Sequence, residues 1–518
     1  MLLATSDMIR EIDRYAITEL GITEYELIGR AGEAVAAVVR KQVKKGSRII
    51  IFAGKGNNGA DGYATAISLM KDNDVCVYDV FSAGQRSEGG KRYLEEYKAL
   101  GGVLYDLSID SDLVERISLA DCVIDAIFGT GFSGEIPNTL RELAKIINSI
   151  DTARKIAIDV PLGVNADNGS VNEGAVIAVN VTVSLSFIKP GLVSYPAKEY
   201  VGRLKNDNIS LQNKAILSDF DFNHYLIDEN LAYSIMPRRE DNSNKGSFGK
   251  LLLITGSEDY PGAGALSLEA ALRGGAGLVT YLGESEIAKT LYFRFPEAIY
   301  KRCSRFSEIS RNEVDLVVSL SKAHGATLIG SGCTKSEGLY DLVCELLRSD
   351  GGLLIIDADA INVLAERREE ASALIKKSKR TVILTPHPLE FARLIGSSAP
   401  DVQLNRLSYA LNYAREHGCI LVLKGAATIV TDGKKVFINS SGSSALAKAG
   451  SGDVLAGFLS SAVTSMPDPL EASAFSVYVH GAAGDALAAR LSEIGVTPSD
   501  LPKEMAHTVA DLSRKNSV

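Results

Sequence analysis

A single carboxylate stands behind a glycine-rich turn near the C-terminus, where residues 448–457 read KAGSGDVLAG. Small residues lead into Asp453, and the apolar run that follows predicts a helix whose first backbone amides can bind an anion. A carboxylate repels phosphate, so its presence makes chemical sense if it takes a proton from a hydroxyl group that attacks phosphorus. The pattern therefore indicates phosphoryl transfer with Asp453 as the base, and a simple helix N-cap is the alternative.

Three other stretches of the second half leave predicted strands through residues that could bind a nucleotide. In TPHPLEF, His387 lies between two prolines, which fix the backbone and favour a binding role. LKGAAT leaves its strand through small residues, as a loop packed against a nucleotide would. In DADAIN, Asp357 and Asp359 stand at a strand end, where the pattern is compatible with contacts to magnesium or phosphate and equally with helix capping.

A dinucleotide-binding fingerprint occurs in the first half, but it occurs twice. Residues 54–59 (GKGNNG) match it after a predicted strand, with Asp79 at the end of the next strand. Residues 129–134 (GTGFSG) match it as well, after another strand. Two matches in one domain show that the spacing of the glycines alone discriminates poorly.

The side chains of the first of these loops suit a different kind of ligand. Asn57, Asn58 and Asp61 carry polar side chains, whereas a pyrophosphate is bound by bare backbone amides. Their oxygens suit a small hard cation or hydroxyl groups. Asp125 and Asp159 end two further predicted strands, and open α/β sheets bind ligands at that edge. We therefore expect these residues to converge on one crevice, with helix or turn capping as the alternative for any single one.

Short β-branched runs alternate with helical patterns from end to end, which is typical of parallel α/β sheets. The candidate strands of the first half are RIIIFAG, VCVYDVF, DCVIDAIFG, KIAIDVP and VTVSLSFI. The pattern restarts in the second half with GKLLLITGS, GLVTYL, ATLIGSG, GLLIIDAD, TVILTPH and CILVLKG. A polar stretch without periodicity, residues 236–249, lies between the halves. The sequence predicts two Rossmann-like three-layer α/β domains, residues 1–222 and 223–518.

The composition argues against several classes of partner. The chain has 518 residues and a net charge of −9, without a long basic stripe, so nucleic acid and anionic membrane are poor candidates. Its six cysteines are dispersed without a Cys-x-x-Cys pair, which is typical of reduced structural thiols. Neither a signal peptide nor an apolar run long enough to cross a bilayer is legible. We therefore expect a cytoplasmic protein.

The motifs resemble, in order, those of the bifunctional NAD(P)H-hydrate repair enzymes, and the resemblance covers nearly the whole chain. The epimerase domain of that family resembles this chain at NNGADG, DAIFGTGFSG, DVPLGVNADNG and SFIKPGL. Its ADP-dependent dehydratase domain, which has a ribokinase-like fold, resembles KGSFGKLLLITGS, DADAIN, TPHPLEF, KGAATIV and AGSGDVLAGFL. The resemblance implies that the first domain interconverts the R and S hydrates of NADH and NADPH. The second would dehydrate the S hydrate with ADP, giving AMP and phosphate.

For the epimerase domain, the resemblance implies a dinucleotide site and a potassium ion. The hydrated dinucleotide would be lined by Asn57, Asn58, Gly59, Ala60, Asp61, Gly129, Thr130, Gly131, Phe132, Ser133, Gly134, Glu135 and Asp159. Potassium would be bound by Asn58, Asp125 and Leu162, of which Leu162 can offer only its backbone carbonyl. Asp159 is the expected acid–base group. Lys189 is its candidate electrostatic partner, with a solvated strand end as the alternative.

For the dehydratase domain, the resemblance implies two adjacent binding sites and a magnesium ion. The hydrated dinucleotide would contact Gly264, Gly332, His387 and Asp453. ADP would be held by Lys424, Gly425, Ala426, Ala427, Thr428, Ser443, Ser444, Ala445, Leu446, Ala447, Lys448, Ala449, Gly450, Ser451 and Gly452. Asp453 would deprotonate the ring hydroxyl so that it accepts a phosphoryl group from ADP. The resemblance further implies a homo-oligomer with small-molecule substrates.

Three other functions are compatible with parts of the sequence. A small-molecule kinase of the ribokinase class would need the same base and glycine turn, with the first domain as a binding module. The first domain could also be a non-catalytic sensing or scaffold module, for which Leu162 is the best support. An NAD-dependent dehydrogenase ranks last, because its fingerprint is duplicated and the second half would have no role.

Overall fold

The computed structural model describes residues 1–81, 86–132 and 134–515. These residues form two compact units, one comprising Leu2–His224 and the other comprising Tyr225–Val518 together with Met1. The predicted boundary after residue 222 lies next to this division. None of the helices in the described ranges combines the length and the apolar character needed to cross a membrane.

The N-terminal unit is built around a seven-stranded parallel sheet with the order β4-β3-β2-β5-β6-β7-β8. The strands of this sheet are β2 Arg48–Ala53, β3 Asp74–Asp79, β4 Val103–Asp106, β5 Cys122–Ala126, β6 Arg154–Ile158, β7 Val181–Leu185 and β8 Arg203–Asp207, and a short strand outside it, β1 Leu2–Leu3, precedes them in the chain. Its α-helices are α1 Ser6–Thr18, α2 Glu24–Val39, α3 Asn57–Leu69, α4 Glu88–Ala99, α5 Ser111–Ser118, α6 Asn138–Ser149 and α7 Lys214–Asp219. Two short 3-10 helices follow β7, at Pro190–Val193 and Ala197–Glu199.

The C-terminal unit has a larger sheet with the order β9-β18-β17-β16-β15-β14-β13-β10-β11-β12. Its strands are β9 His224–Ile227, β10 Lys250–Ile254, β11 Leu278–Glu284, β12 Ile299–Cys303, β13 Ala326–Ile329, β14 Leu353–Ile356, β15 Val382–Leu384, β16 Ile420–Leu423, β17 Ile429–Thr431 and β18 Val436–Asn439. Its first α-helices are α8 Glu229–Ile235, α9 Pro261–Arg273, α10 Ser285–Arg294, α11 Arg311–Lys322, α12 Glu337–Arg348 and α13 Ala358–Glu366. The remaining α-helices are α14 Arg368–Lys377, α15 Pro388–Ile395, α16 Ala399–Leu404, α17 Arg406–His417, α18 Ser451–Ser465, α19 Pro469–Gly495 and α20 Leu501–Lys515. The 3-10 helices are Lys245–Phe248, Phe306–Glu308 and Ser444–Leu446.

Three of the strands absent from the sequence prediction lie where the apolar signal is weakest. In β4, β8 and β12 most residues are partly or fully exposed, and β4, β8 and β12 each occupy one edge of a sheet. An edge strand buries little side-chain surface, so it needs no continuous apolar run. The buried strands β17 and β18 were also missed. They form an antiparallel hairpin around Asp432 and Gly433, a dipeptide that favours hairpin turns.

Both sheets reverse their strand order in the middle, and this places the loops that carry the predicted motifs. In the N-terminal unit the order changes direction between β2 and β5, and in the C-terminal unit between β10 and β13. Ligands of open α/β sheets bind in the crevice that such a reversal opens at the carboxyl ends of the strands. The loops after β2 and β5 contain the two fingerprint matches. The loops after β10 and β13 precede Gly264 and include Gly332.

Candidate active sites

A cavity of about 140 Å³ lies at the reversal point of the N-terminal sheet. Four of the predicted residues line it: Asn57 and Asp61 from the first turns of α3, Thr130 from the loop after β5, and Asp159 from the end of β6. The loops approach closely, since a Cβ atom on Gly129 would lie 3.3 Å from Asn58 Cβ and 3.5 Å from Asp159 Oδ2. The predicted convergence on one crevice is therefore observed for Asn57, Asp61 and Asp159, whereas Asn58 and Asp125 do not line this cavity.

Asp159 is paired with Lys189 beneath this cavity. Asp159 has a left-handed backbone conformation (φ 64°), which is uncommon outside glycine and costs of order 1 kcal/mol. Its carboxylate forms an ion pair with Lys189 Nζ and accepts a hydrogen bond from Leu185 N at 3.1 Å. Lys189 Nζ also donates to Leu185 O at 2.8 Å, and the residue is only 1% exposed. The alternative of a solvated Lys189 is therefore wrong, and the ammonium stabilises the carboxylate form of Asp159.

Two other carboxyl groups share the cavity without such a partner. Burial raises the pKa of Asp61 well above its usual range, and the nearby negative charges of Asp159 and Asp13 raise it further. Burial also raises the pKa of Asp13, a residue of α1, to about 6. Within the described ranges, neither side chain has a hydrogen-bond or ion-pair partner. Asp13 belongs to none of the predicted motifs, and its contribution became visible only in the fold.

The residues expected to bind potassium lie close to one another and are mostly buried. Asn58 Nδ2 donates to Phe128 O at 2.9 Å, while the buried Asn58 Oδ1 has no hydrogen-bond partner among the described residues. Asp125 is 1% exposed, its carboxylate accepts hydrogen bonds from Ile127 N and Leu162 N, and burial raises its pKa to about 6. An amide oxygen without a hydrogen-bond partner and a buried carboxylate are oxygen ligands that suit a monovalent cation.

Leu162 and the described residues of the second fingerprint loop other than Thr130 do not line the cavity that contains Asp159. The Leu162 side chain is buried in the core, and its carbonyl already accepts a hydrogen bond from Ile177 N at 3.1 Å. Gly129, Phe132 and Gly134 line a second cavity of about 230 Å³. The remaining predicted residues of this half are Gly59 and Ala60, buried in α3, and Gly131 and Glu135, exposed on the loop. Ser133 lies outside the described residues.

Asp79, the acid expected to bind ribose in a dehydrogenase, already forms an ion pair and a hydrogen bond within the protein. Its carboxylate forms a buried ion pair with Arg86 and accepts a hydrogen bond from Phe81 N. The geometry therefore leaves the dehydrogenase alternative without its ribose-binding group.

In the C-terminal unit, Asp453 lies in the first turn of α18 but does not cap it. The N-cap is Gly450, whose φ of 102° favours glycine, and no side chain caps the helix. The N-cap alternative for Asp453 is therefore wrong. Its carboxyl group has no hydrogen-bond or ion-pair partner in the part of the chain that the structure describes. Burial raises its pKa to about 7, which suits a base that works near neutral pH.

A buried ion pair between Lys424, from the first segment expected to hold ADP, and Asp357, at the end of β14, lies next to Asp453. Lys424 Nζ lies 2.9 Å from Asp357 Oδ1, and Asp357 is 1% exposed. The Asp357 carboxylate also accepts hydrogen bonds from Ser331 Oγ at 2.8 Å and Thr385 Oγ1 at 2.7 Å. A Cβ atom on Gly452 would lie 3.4 Å from Lys424 Nζ, so the Lys424 loop and the glycine turn are adjacent. Asp357 occupies the N-cap position of α13, but its side chain makes no capping hydrogen bond and pairs with Lys424 instead.

The other residues expected to hold ADP surround this pair in two loops. Residues 424–428 connect β16 to β17, and residues 443–452 lead into α18. Ser443 Oγ and Ser451 Oγ are buried without a hydrogen-bond partner in the described ranges, as is Nε2 of His480 on α19. The ammonium of Lys448 donates instead to the carbonyls of Ile494 and Val496. The exposed members of the two loops are Gly425, Ala426, Ser444, Ala447 and Ala449, and the buried or half-buried ones are Ala427, Thr428, Ala445, Leu446, Gly450 and Gly452.

His387 is held in one orientation at the start of α15. Its Nδ1 accepts hydrogen bonds from Leu389 N and Glu390 N, while Glu390 Oε2 accepts one from His387 N at 2.8 Å. The imidazole proton is therefore on Nε2, and the ring is 47% exposed. Burial lowers the pKa of His387 and raises that of Glu390 to about 7. Glu390 is part of the TPHPLEF motif, but the motif did not predict this capping arrangement.

Gly264 and Gly332 lie where β10 and β13 open the reversal crevice. Gly332 has a φ of 64°, and a Cβ atom there would lie 2.5 Å from Ala263 Cβ. A Cβ atom on Gly264 would lie 2.7 Å from Tyr281 Oη. Both positions therefore require glycine for packing, which is independent of any role in binding.

Comparison with known proteins agrees with this arrangement in both units. The family described as NAD(P)H-hydrate dehydratase matches residues 251–507, and the family described as YjeF-related protein N-terminus matches residues 24–191. The bifunctional NAD(P)H-hydrate repair enzyme Nnr of Moorella thermoacetica is 33% identical, covering 99% of this chain and 98% of its own length.

Solved structures resemble the C-terminal unit. The ADP/ATP-dependent NAD(P)H-hydrate dehydratase of Bacillus subtilis, co-crystallized with ATP and Mg²⁺, is 29% identical, with a TM-score of 0.50 over 56% of this chain and 98% of its own. A ribokinase-like superfamily protein from Enterococcus faecalis has the same TM-score over 57% of this chain and 98% of its own, at 24% identity. The C-terminal unit therefore has a ribokinase-like fold, and the chain belongs to the family of bifunctional NAD(P)H-hydrate repair enzymes.

Proposed function

We propose that this chain repairs hydrated NADH and NADPH, with its N-terminal unit exchanging the R and S hydrates and its C-terminal unit dehydrating the S hydrate at the expense of ADP. The observation that carries the proposal is the free carboxyl group of Asp453. It is half-buried, lies beside the Lys424–Asp357 ion pair and has no hydrogen-bond or ion-pair partner in the described chain.

In the dehydratase reaction, Asp453 takes the proton of the ring hydroxyl. The hydroxyl oxygen attacks the β-phosphorus of ADP, and AMP leaves with the electron pair of the broken phosphorus–oxygen bond. The lone pair of the ring nitrogen then expels phosphate, and loss of a proton from the adjacent carbon restores NAD(P)H. Hydroxide is a poor leaving group, so this route explains why a nucleotide is consumed. The backbone amides of the glycine turn and the Lys424 ammonium would stabilise the charge on the transferred phosphoryl group.

Magnesium would accompany the nucleotide, a proposal supported by the similar Bacillus subtilis dehydratase co-crystallized with ATP and Mg²⁺. When bound, it would neutralise charge on the phosphates. We propose the residues of the two loops named above as the ADP site, and Gly264, Gly332 and His387 as contacts of the hydrated dinucleotide.

In the epimerase reaction, Asp159 is the proposed group that takes a proton from the ring hydroxyl, held in place by Lys189. Asn58 Oδ1 and the Asp125 carboxylate would hold potassium, which would supply positive charge at the edge of the crevice. The dinucleotide would lie along the loops at residues 57–61 and 129–135. We further propose that the protein acts in the cytoplasm. We also propose that it is a homo-oligomer, and light scattering of the purified protein tests this oligomeric state directly.

The test is recovery of the reduced ring from a mixture of R and S hydrates of NADH, followed by absorbance, with ADP or ATP. Wild-type protein should restore the whole mixture. Asp453→Asn should abolish ADP-dependent recovery yet still exchange the epimers, whereas Asp350→Asn, an exposed carboxylate of the same unit, should behave as wild type. A stable phosphorylated product without restored absorbance would identify a small-molecule kinase and refute the proposal.

A further inference from the structure

Helix α1 presents one stripe of residues to the epimerase cavity. Ile9, Asp13 and Ile17 line the cavity and are spaced four residues apart, which places them on one face of the helix. Ile12 and Ala16 of the same helix are fully buried and anchor it to the core. Asp13 is thus the single polar residue in an apolar stripe that faces the ring-binding cavity.

The carboxyl group of Asp13 is held there without a partner. Four charged or titratable side chains share the cavity with it: Lys189, Asp159, Asp61 and Glu24. The Lys189 ammonium forms its ion pair with Asp159, and Glu24 Oε2 accepts a hydrogen bond from Gly89 N at 3.1 Å. An unpaired carboxyl group in a partly desolvated site costs folding free energy. Such a group is therefore a candidate for binding a ligand or transferring a proton.

Exchange of the epimers requires two proton movements at different atoms of the ring. In the ring-opening route, the hydroxyl oxygen loses its proton and becomes an aldehyde oxygen, while the carbon–nitrogen bond breaks. The electron pair of that bond goes to the ring nitrogen, which gains a proton. Rotation of the aldehyde and reversal of both steps close the ring with the opposite configuration. No oxidant, reductant or co-reactant is consumed.

We infer that Asp13 is the second acid–base group of the epimerase site, giving and retaking the proton at the ring nitrogen while Asp159 acts at the hydroxyl oxygen. This inference rests on the proposed epimerase function of the N-terminal unit. The contacts distinguish the two roles: Asp159 is ion-paired with Lys189 and is assigned as the initial base, and the unpaired Asp13 is assigned as the initial acid.

The test compares Asp13→Asn, Asp13→Glu and the control Glu11→Gln, which changes an exposed carboxylate of the same helix. Epimer exchange is measured without ADP, by chromatography, between about pH 5 and pH 9. For wild type, kcat/KM should fall as the pH rises above about 6, because Asp13 then loses the proton that it must give. Asp13→Asn should lower kcat at least about 100-fold with KM within about threefold, and should remove this pH dependence.

Asp13→Glu should recover at least about tenfold of the lost kcat and shift the pH at which the rate declines. ADP-dependent dehydration of the S hydrate should be unchanged in every variant, which confirms that the chain is folded. The inference is overturned if Asp13→Asn keeps kcat within about threefold of wild type, or if its pH profile is unchanged. Should Asp13→Asn fail to fold, an unshifted pH profile of Asp13→Glu overturns it. Absence of exchange by the wild-type protein would instead refute the epimerase function itself.

Discussion

Replacing Lys424 with methionine should move the pH dependence of dehydration upward. The carboxyl groups of Asp357, Asp359, Glu390 and Asp453 act on one another in this site, and Lys424 is the cation that lowers the pKa of Asp453 and Glu390. Methionine keeps a side chain of similar length but removes the ammonium. Because Asp453 acts as a base only when ionised, a higher pKa means that a higher pH is needed for the same rate.

The size of the shift follows from Coulomb's law. Two unit charges about 5 Å apart interact by about 3 kcal/mol at an effective dielectric constant of about 20, which corresponds to about 2 pKa units. Part of this is offset, because Asp453 and Lys424 are only half-buried and solvent screens the interaction between them. We therefore expect the pKa of Asp453 to rise from about 7 by about 1 unit, and kcat/KM at neutral pH to fall about fivefold from this cause alone.

The assay is kcat/KM for the S hydrate as a function of pH, at saturating ADP so that weaker nucleotide binding does not contribute. Lys424→Arg should keep the wild-type profile, since it restores the charge. Lys434→Met removes an exposed ammonium from the β17–β18 turn and is the matched control. A profile of Lys424→Met whose midpoint stays in place or moves to lower pH would show that Lys424 does not set the charge state of the base.

Three further predictions concern the N-terminal unit. Asp159→Ala should leave ADP-dependent dehydration intact, so that only the S half of a mixed hydrate is recovered rapidly; loss of both activities in a folded protein would contradict the assignment of two separate sites. Asn58→Ala should raise the potassium concentration needed for half-maximal exchange at least about tenfold, measured with sodium substituted at constant ionic strength, and an unchanged requirement would place the ion elsewhere. Lys189→Met should lower the free energy of unfolding of this unit by about 3–5 kcal/mol in a denaturant titration, because it leaves the Asp159 charge buried and unpaired; Lys45→Met, an exposed lysine, is the control.

Much of the architecture was predictable from the sequence because buried parallel strands consist of continuous runs of apolar residues. The eleven predicted strands are all present, and most of the motifs fall on loops at the carboxyl ends of strands, such as β2, β5, β14, β15 and β16. The residues of a glycine-rich loop that contact a ligand are consecutive, so the sequence alone predicts where the loop lies and which class of ligand it binds. Exposed edge strands such as β4 and β8 carry no such signal.

The pairing of side chains across the fold was decided by tertiary structure alone. Asp357 and Lys424 are far apart in sequence and form one buried ion pair, which leaves Asp453 as the free carboxyl group. Asp13 reaches the epimerase cavity because α1 packs its apolar stripe there, although no motif surrounds it. Residue type and spacing determine which groups can carry out chemistry, but burial and distance to other charges determine which of them carries a proton. These two quantities depend on contacts between segments that the sequence alone does not bring together.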